Sequence, residues 1–292
     1  MNAVIHSTHP FVNFLYYLCV GCAMMFFSHP LFLGTAILLL CLLNIVHGNK
    51  TVLSKYVFYL MFMGLIVILL NPIFVRRGST ILFYFRHNPI TLESIVYGLV
   101  MALLLIGILI LFLSFHQVLN GRKFMFLFRK VWPQLGLLLM LTIRFVPLFI
   151  RRWKEIYDTQ KVRQYSMTEG SIKVRAQRGM LYMQKLLTWS LEEALQSAES
   201  MKARGYGTSK RSVYHLYHLT IRDIGMIVFL LSLTGIAIVG AQQGYGVLTI
   251  YPELESWTFT LLDWTYFIVF ILLVSFPILL EGGEHVRWRL LK

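Results

Sequence analysis

The chain has 292 residues, of which 57% are hydrophobic, 15% aromatic and only 14% charged, and 27 Lys and Arg against 13 Asp and Glu give a net charge of +14. A soluble domain carries about 25% charged residues, so this charge is too sparse to cover a soluble surface, and the chain is read as a polytopic membrane protein. In that setting the positive charge belongs to loops on the cytoplasmic side, and no nucleic-acid-reading module accompanies it.

A membrane-crossing helix needs about 20 mainly apolar residues. In chain order the candidate segments are 11–27, 30–46, 56–75, 94–115, 134–150, 221–241 and 259–280. The first lacks a basic leader and a small-residue cleavage site, so no signal peptide is expected. The first two and the fifth are short for a perpendicular crossing, and His29-Pro30 divides the first pair, which reads as a tilted or partial hairpin. Pro72, Pro147 and Pro277 fall near segment ends, where freed carbonyls are easier to satisfy. Cys19 and Cys22 have CxxC spacing, but no second ligand pair or βαβ context goes with it, so they and Cys41 are read as packing residues.

Residues 151–222 break the pattern, with 14 Lys and Arg against six acids. The positive-inside rule makes this block cytoplasmic, and the flanks RRWK (151–154) and KR (210–211) agree. A conflict follows. A full crossing at 134–150 would put Arg122, Lys123, Arg129 and Lys130 on the opposite side from the block. Partial crossing by 134–150 resolves it, and leaves Arg144 at that segment's centre, near Pro147. An intramembrane charge is a functional candidate by default, and the alternative is that Arg144 snorkels or pairs within the bundle. The expected organisation is therefore transmembrane helices over 1–150, cytoplasmic helices over 151–220 and transmembrane helices over 221–292.

Within the block, one amphipathic helix is expected over about 149–162, ending in Gln160-Lys161-Val162-Arg163-Gln164. Met180 to Thr188 reads as part of a second, and YSMTEGSIK (165–173) as a loop. Ser190-Leu191-Glu192-Glu193 has the form of a capping box opening the last helix. That helix continues through Leu191, Ala194, Leu195, Ala198 and Met201, carries Lys202 and Arg204 in its last turn, and stops at Gly205, a residue able to turn left-handed at C′. The fold class is all-α: a polytopic helix bundle with a cytoplasmic region of about three amphipathic helices, two of which end in Arg. Either these basic ends complement helix dipoles and hold the block against anionic lipid, or they present Arg to acidic pockets on partner proteins.

Other signals are weak. GYGTSKR (205–211) lacks the G-x-x-x-x-G-K-[ST] form, so the chain is not expected to hydrolyse ATP. His215 and His218 share a helix face without a third ligand, and Glu281-Gly-Gly-Glu284-His285 reads as a water-facing helix end. No nucleophile–base arrangement or carboxylate pair supports an enzyme, and no internal repeat supports a stand-alone carrier. No catalytic residue, metal or bound cofactor is therefore expected.

Five stretches occur in an order that carries a resemblance: NPIFVRRGSTILF (71–83), NPITLESIVYGLVMALLL (88–105), TIRFVPLF (142–149), TQKVRQ (159–164) and ESMKARGYG (199–207). Over about residues 10–240 the chain resembles the T component of energy-coupling factor (ECF) transporters, the EcfT/CbiQ family. The resemblance implies a multi-pass scaffold in the plasma membrane of a prokaryote. Its implied partners are two cytoplasmic ABC-type ATPases, which use ATP and Mg, and a small membrane-embedded S component that carries specificity for a vitamin or metal ion. It also implies two Arg-centred motifs at the ends of coupling helices that dock on the ATPases. The second falls on Ala203-Arg204-Gly205. The first falls on Val162-Arg163-Gln164, where the family commonly has Ala-Arg-Gly, with Arg178-Gly179-Met180 as a competitor. The chain departs from the family in showing two apolar segments after this region, where one is typical. A membrane-bound enzyme or a stand-alone carrier is the alternative reading.

Overall fold

The computed structural model describes residues 8–48, 50–75, 78–85, 88–119, 121, 123–124, 126–127, 133–162, 171–208, 219–251 and 259–290. The helices are α1 (Pro10–Phe26), α2 (Pro30–Val46), α3 (Lys50–Phe74), α4 (Leu92–Val118), α5 (Pro133–Val162), α6 (Ile172–Ala203), α7 (Ile221–Gln242) and α8 (Leu261–Leu290). Strands β1 (Ile81–Phe85) and β2 (Asn88–Thr91) form an antiparallel ribbon that the sequence did not announce. Each of the seven apolar segments lies on a helix. The chain divides into two compact units: Met1–Phe124 with Tyr217–Lys292, and Met125–Leu216.

The first unit is a bundle of α1–α4, α7 and α8. Two of its helices start with the same device. His9 and His29 are N-caps whose Nδ1 atoms accept the Phe11 and Leu31 N–H groups at 3.2 Å, and Pro10 and Pro30 take the first helical position, where a backbone N–H has no helical partner. At 17 residues each, α1 and α2 are about 25 Å long, shorter than the roughly 30 Å hydrocarbon core. Their position offsets this. α1 packs on α4 and α7, α2 packs on α4 and α8, and Val20, Ala23, Met24, Phe32, Leu33 and Leu40 are fully buried. One face of each short helix is thus covered by protein, while Leu18, Met25, Leu31 and Leu38 stay exposed on the other.

Among the described residues four helices are long and apolar enough to cross a membrane: α3, α4, α7 and the part of α8 from Leu261 to Glu281. α3 is peripheral and packs along α4, where a Cβ on Gly64 would come 2.8 Å from Ile106 and one on Gly98 3.1 Å from Asn71. α7 and α8 each open with a T-x-x-D capping box. Thr220 and Asp223 cap one another, as do Thr260 and Asp263.

Both ends of this unit are tied by polar contacts. At one end the α1–α2 turn clasps the segment after α7. His29 N–H donates to Gly246 O at 3.2 Å, Leu248 N–H to Ser28 Oγ at 3.2 Å, and Gly246 N–H to Asp263 Oδ1 at 3.1 Å. Gly246 has φ 69°, and an added Cβ would lie 2.7 Å from Phe27, so only glycine fits there. The β-ribbon leads into the start of α4 through Thr91, which caps Ser94, and through Glu93, which accepts from Ser79 N–H and Thr80 N–H. The other end holds the start of α1, the α2–α3 turn, the last turn of α4 and the Glu281 turn of α8, with His47 Nδ1 3.4 Å from Ser114 Oγ and His47 Nε2 3.9 Å from Glu281 Oε1.

The second unit contains α5 and α6, and here two expectations are corrected. Segment 134–150 and the expected helix 149–162 are one helix of 30 residues that runs through Pro147. α5 is not among the span-grade helices found among the described residues, and past Ile150 it carries Arg151, Arg152, Lys154 and Glu155. α6 is likewise one helix of 32 residues. Ser190 lies inside it, and its hydroxyl donates to Leu187 O at 2.8 Å instead of capping a new helix. The helix runs unbroken through Gly179, and helical propagation overrides the local cap signal at Ser190. Among the described residues the region therefore holds two long helices where the sequence suggested about three.

Candidate functional site

An aromatic ladder on α5 positions the second unit's helices. Phe145, Phe149, Trp153 and Tyr157 recur every four residues and so share one helix face. Phe149 meets Trp189 edge-on at 5.8 Å between ring centroids, while Trp153 and Tyr157 meet Tyr182 at 6.3 and 6.4 Å. The Arg152 guanidinium lies 5.3 Å from the Trp189 ring centroid and pairs with Glu155 at 2.7 Å. Tyr182 is fully buried, and burial raises its phenol above its ordinary range. This spacing was legible in the sequence, but which helix faces the ladder was not.

The contacts pair residue 149 with 189 and residue 157 with 182, so α5 and α6 run antiparallel. Their C-terminal ends therefore point in opposite directions. At 1.5 Å per residue, Arg204 lies about 33 Å along α6 from Tyr182, and Val162 about 7 Å along α5 beyond Tyr157 in the opposite sense. The two helix ends stand on the order of 30–40 Å apart.

The end of α6 is built as its sequence indicated. Arg204 is the C-cap and Gly205 follows at φ 80°. Gly205 N–H donates to Lys202 O at 2.9 Å and Tyr206 N–H to Met201 O at 3.0 Å, the paired bonds of a Schellman motif. Thr208 then closes on Gly205 O through its hydroxyl at 2.7 Å. The chain turns aside there and leaves Ala203 and Arg204 exposed on the last turn. Among the described residues the Arg204 guanidinium has no hydrogen-bond or ion-pair partner. A planar fork of donors on a rigid helix end, next to a fixed turn, is suited to bidentate hydrogen bonding with carboxylates or carbonyls.

The other expected residues divide. Val162 ends α5 and is 85% exposed, whereas Arg163 and Gln164 lie outside the described residues. Arg144 and Pro147 sit on exposed positions of α5. Arg178 is part of the α6 interior and not a helix end. His215 and His218 lie outside the described residues, and for Glu284 and His285 only the helical backbone is described. Sequence reasoning missed the two T-x-x-D boxes, which the rule applied at Ser190 would have found. It also missed the polar chain around His47, whose members are too far apart in the chain to form a motif.

The CbiQ family, described as cobalt transport protein, matches residues 1–215. The chain is similar to the energy-coupling factor transporter transmembrane protein EcfT of Staphylococcus aureus, with 26% identity over 261 residues that cover 81% of this chain and 96% of that protein. It is 25% identical over 244 residues to the protein of the same name from Bacillus selenitireducens, covering 79% of this chain and 90% of that one. With four span-grade helices and this match across most of its length, the chain belongs to the EcfT/CbiQ family and is a multi-pass membrane component of an energy-coupling factor transporter.

Proposed function

We propose that this chain is the coupling scaffold of an ECF-type ABC importer, transmitting the ATP-driven motion of two ATPase subunits to a small membrane-embedded S component that takes up a micronutrient, a vitamin or a metal ion. The carrying observation is the exposed, unpaired Arg204 held at the end of α6 by the Gly205 turn. Ala203, Arg204 and Gly205 dock one ATPase, and Val162, Arg163 and Gln164 dock the other. A separation of roughly 30–40 Å between the two helix ends suits two separate partners better than one. ATP and Mg are bound and used by those partners, and this chain binds no cofactor.

Charge supports a cytoplasmic position for the second unit. The segments joining helices at the clasp end of the bundle, 27–29, 75–91 and 243–260, contain Arg76, Arg77 and Arg86 and no other Lys or Arg. All remaining basic residues lie in segments that leave the opposite end or in the helices themselves. The positive-inside rule makes that opposite end cytoplasmic. A partial crossing by α5 would place 116–133 on that same side as the basic block.

A second surface on α6 fits the S component. Met180, Met183, Leu187, Leu191 and Leu195 are exposed, and their spacing places them on the face away from Tyr182 and Trp189. Ala194 and Ala198 lie among them, and small residues four apart let an apolar membrane helix approach closely.

The test is co-purification of the solubilised protein from its native cells, wild type beside the double variant Arg163→Ala/Arg204→Ala. Two ATPases and a small membrane protein should accompany the wild type, with the ATPases lost from the variant. A wild-type chain that purifies alone and transports or catalyses in liposomes would overturn the proposal.

A further inference from the structure

At the bundle end from which residues 119–220 depart, four helices are joined by a buried polar chain. Tyr17 on α1 has its hydroxyl 2.7 Å from Ser114 Oγ on α4. Ser114 Oγ is 3.4 Å from Nδ1 of His47, the C-cap of α2, and His47 Nε2 is 3.9 Å from Glu281 Oε1 on α8. Gln117, one turn of α4 later, donates from Nε2 to His47 O at 2.8 Å. Ser114 is fully buried, and Tyr17 and His47 are buried beside it.

The chemistry gives the chain a direction. With His47 protonated on Nε2, Tyr17 donates to Ser114, Ser114 donates to Nδ1, and Nε2–H points at the Glu281 carboxylate. Each donor leads to the anion at the end, and links in such a series polarise one another in a low-dielectric interior. The first two links are within hydrogen-bond distance. The last is within ion-pair range but about 1 Å too long for a hydrogen bond. It is therefore the link that a small displacement makes or breaks.

α8 is arranged to give that displacement. Pro277 lies one turn before Glu281 and deprives the helix of an N–H donor. On the other side of the proline, Tyr16 OH holds Val274 O at 2.7 Å. Between α1 and α8 at this level lies a cavity of about 20 Å³ lined by Thr8, Asn13, Tyr16, Tyr17, Pro277 and Leu280. The helix is pinned before the proline, less tightly packed beside it and latched one turn after it.

We propose that Glu281 is a positioning residue for coupling: it latches the α8 tail beyond the Pro277 hinge to the His47–Ser114–Tyr17 chain, and this latch opens and closes as the ATPases work. The proposal rests on the coupling role given above. Ser114 and Gln117 lie in the last turn of α4, the turn that continues into the segment leading to α5 and α6.

The test is hydrogen–deuterium exchange of peptides covering 278–290, for wild type and Glu281→Gln. It is run on the solubilised chain alone and on the complex with its ATPases, nucleotide-free and trapped with Mg-ATP and orthovanadate. In the chain alone, Glu281→Gln should exchange roughly two- to fivefold faster, as expected for losing an ion-pair-range contact. In the complex, wild type should differ between the nucleotide states, and the variant should not. Equal exchange in variant and wild type would overturn the latch. A faster variant with a wild-type tail indifferent to nucleotide would overturn its part in coupling. Failure of ATPases to accompany the wild type would instead overturn the coupling role itself, while the measurement on the chain alone still reads the latch. Tyr17→Phe, which removes one link with little change in volume, is the second variant. A smaller acceleration in the same peptides supports the chain, and none refutes it.

Discussion

Gly205→Ala tests the architecture of the candidate docking site most directly. Gly205 adopts φ 80°, where a side chain costs roughly 1–2 kcal/mol. An added Cβ would lie 3.2 Å from Thr208 Oγ1, close enough that the threonine must give slightly, so steric overlap adds little and the backbone term dominates. A cost of about 1–2 kcal/mol corresponds to a factor of roughly 5–30 in the equilibrium between the closed and opened helix end. Hydrogen exchange of the Gly205 and Tyr206 amides, which donate to Lys202 O and Met201 O, reads that equilibrium. Exchange at these two amides should rise by that factor in Gly205→Ala, with the α5–α6 aromatic contacts unaffected. Gly205→Asn, which tolerates the left-handed region better, should show a smaller rise. If Ala, Asn and Gly exchange alike, the left-handed turn does not set the position of Arg204, and the reasoning fails.

Four further outcomes follow from the same structure. Ser190→Ala should change stability by less than about 0.5 kcal/mol, because Ser190 lies within α6, while Thr220→Ala, which removes a real cap, should cost about 1 kcal/mol in a thermal or denaturant titration. Gly246→Ala should lower the melting temperature by several degrees, since it meets both a left-handed backbone and the Phe27 ring, and an unchanged melting temperature would refute the clasp. Tyr182→Ala should cost about 3–5 kcal/mol and loosen the α5–α6 pair, seen as loss of near-ultraviolet dichroism from Trp153 and Trp189. Because burial raises the Tyr182 phenol, its contribution to stability is whole below the ordinary tyrosine range and is lost as pH rises through the folded value. Phenolate absorbance should thus include a late-titrating component that is lost in Tyr182→Phe.

What was legible in the sequence is local in origin. Apolar runs placed a helix on each of the seven segments, because a stretch without polar side chains must satisfy its own backbone wherever it is buried. Gly205 after Lys202 and Arg204 marked a helix end, because a left-handed C′ position is a property of a few adjacent residues. The Ser190 signal failed for the converse reason: a cap motif acts only where the helix is already broken, and α6 runs unbroken through Gly179 to that point. Pro147 failed likewise as a boundary, since α5 continues past it on the strength of its aromatic face against α6.

Tertiary structure decided the rest. The composition of α1 and α2 marked them as apolar, but their place inside the bundle depends on the neighbours that bury Phe32, Leu33 and Leu40. Nothing local relates Tyr17, His47, Ser114 and Glu281, which meet only because four helices bring their ends together. The antiparallel pairing of α5 with α6 made the α5 end at Val162 and the α6 end at Ala203 face opposite ways. Sequence sets which backbone groups each segment can satisfy by itself. Packing sets which segments must satisfy one another, and in this protein the distance between the two helix ends and the polar chain at the bundle end both come from packing.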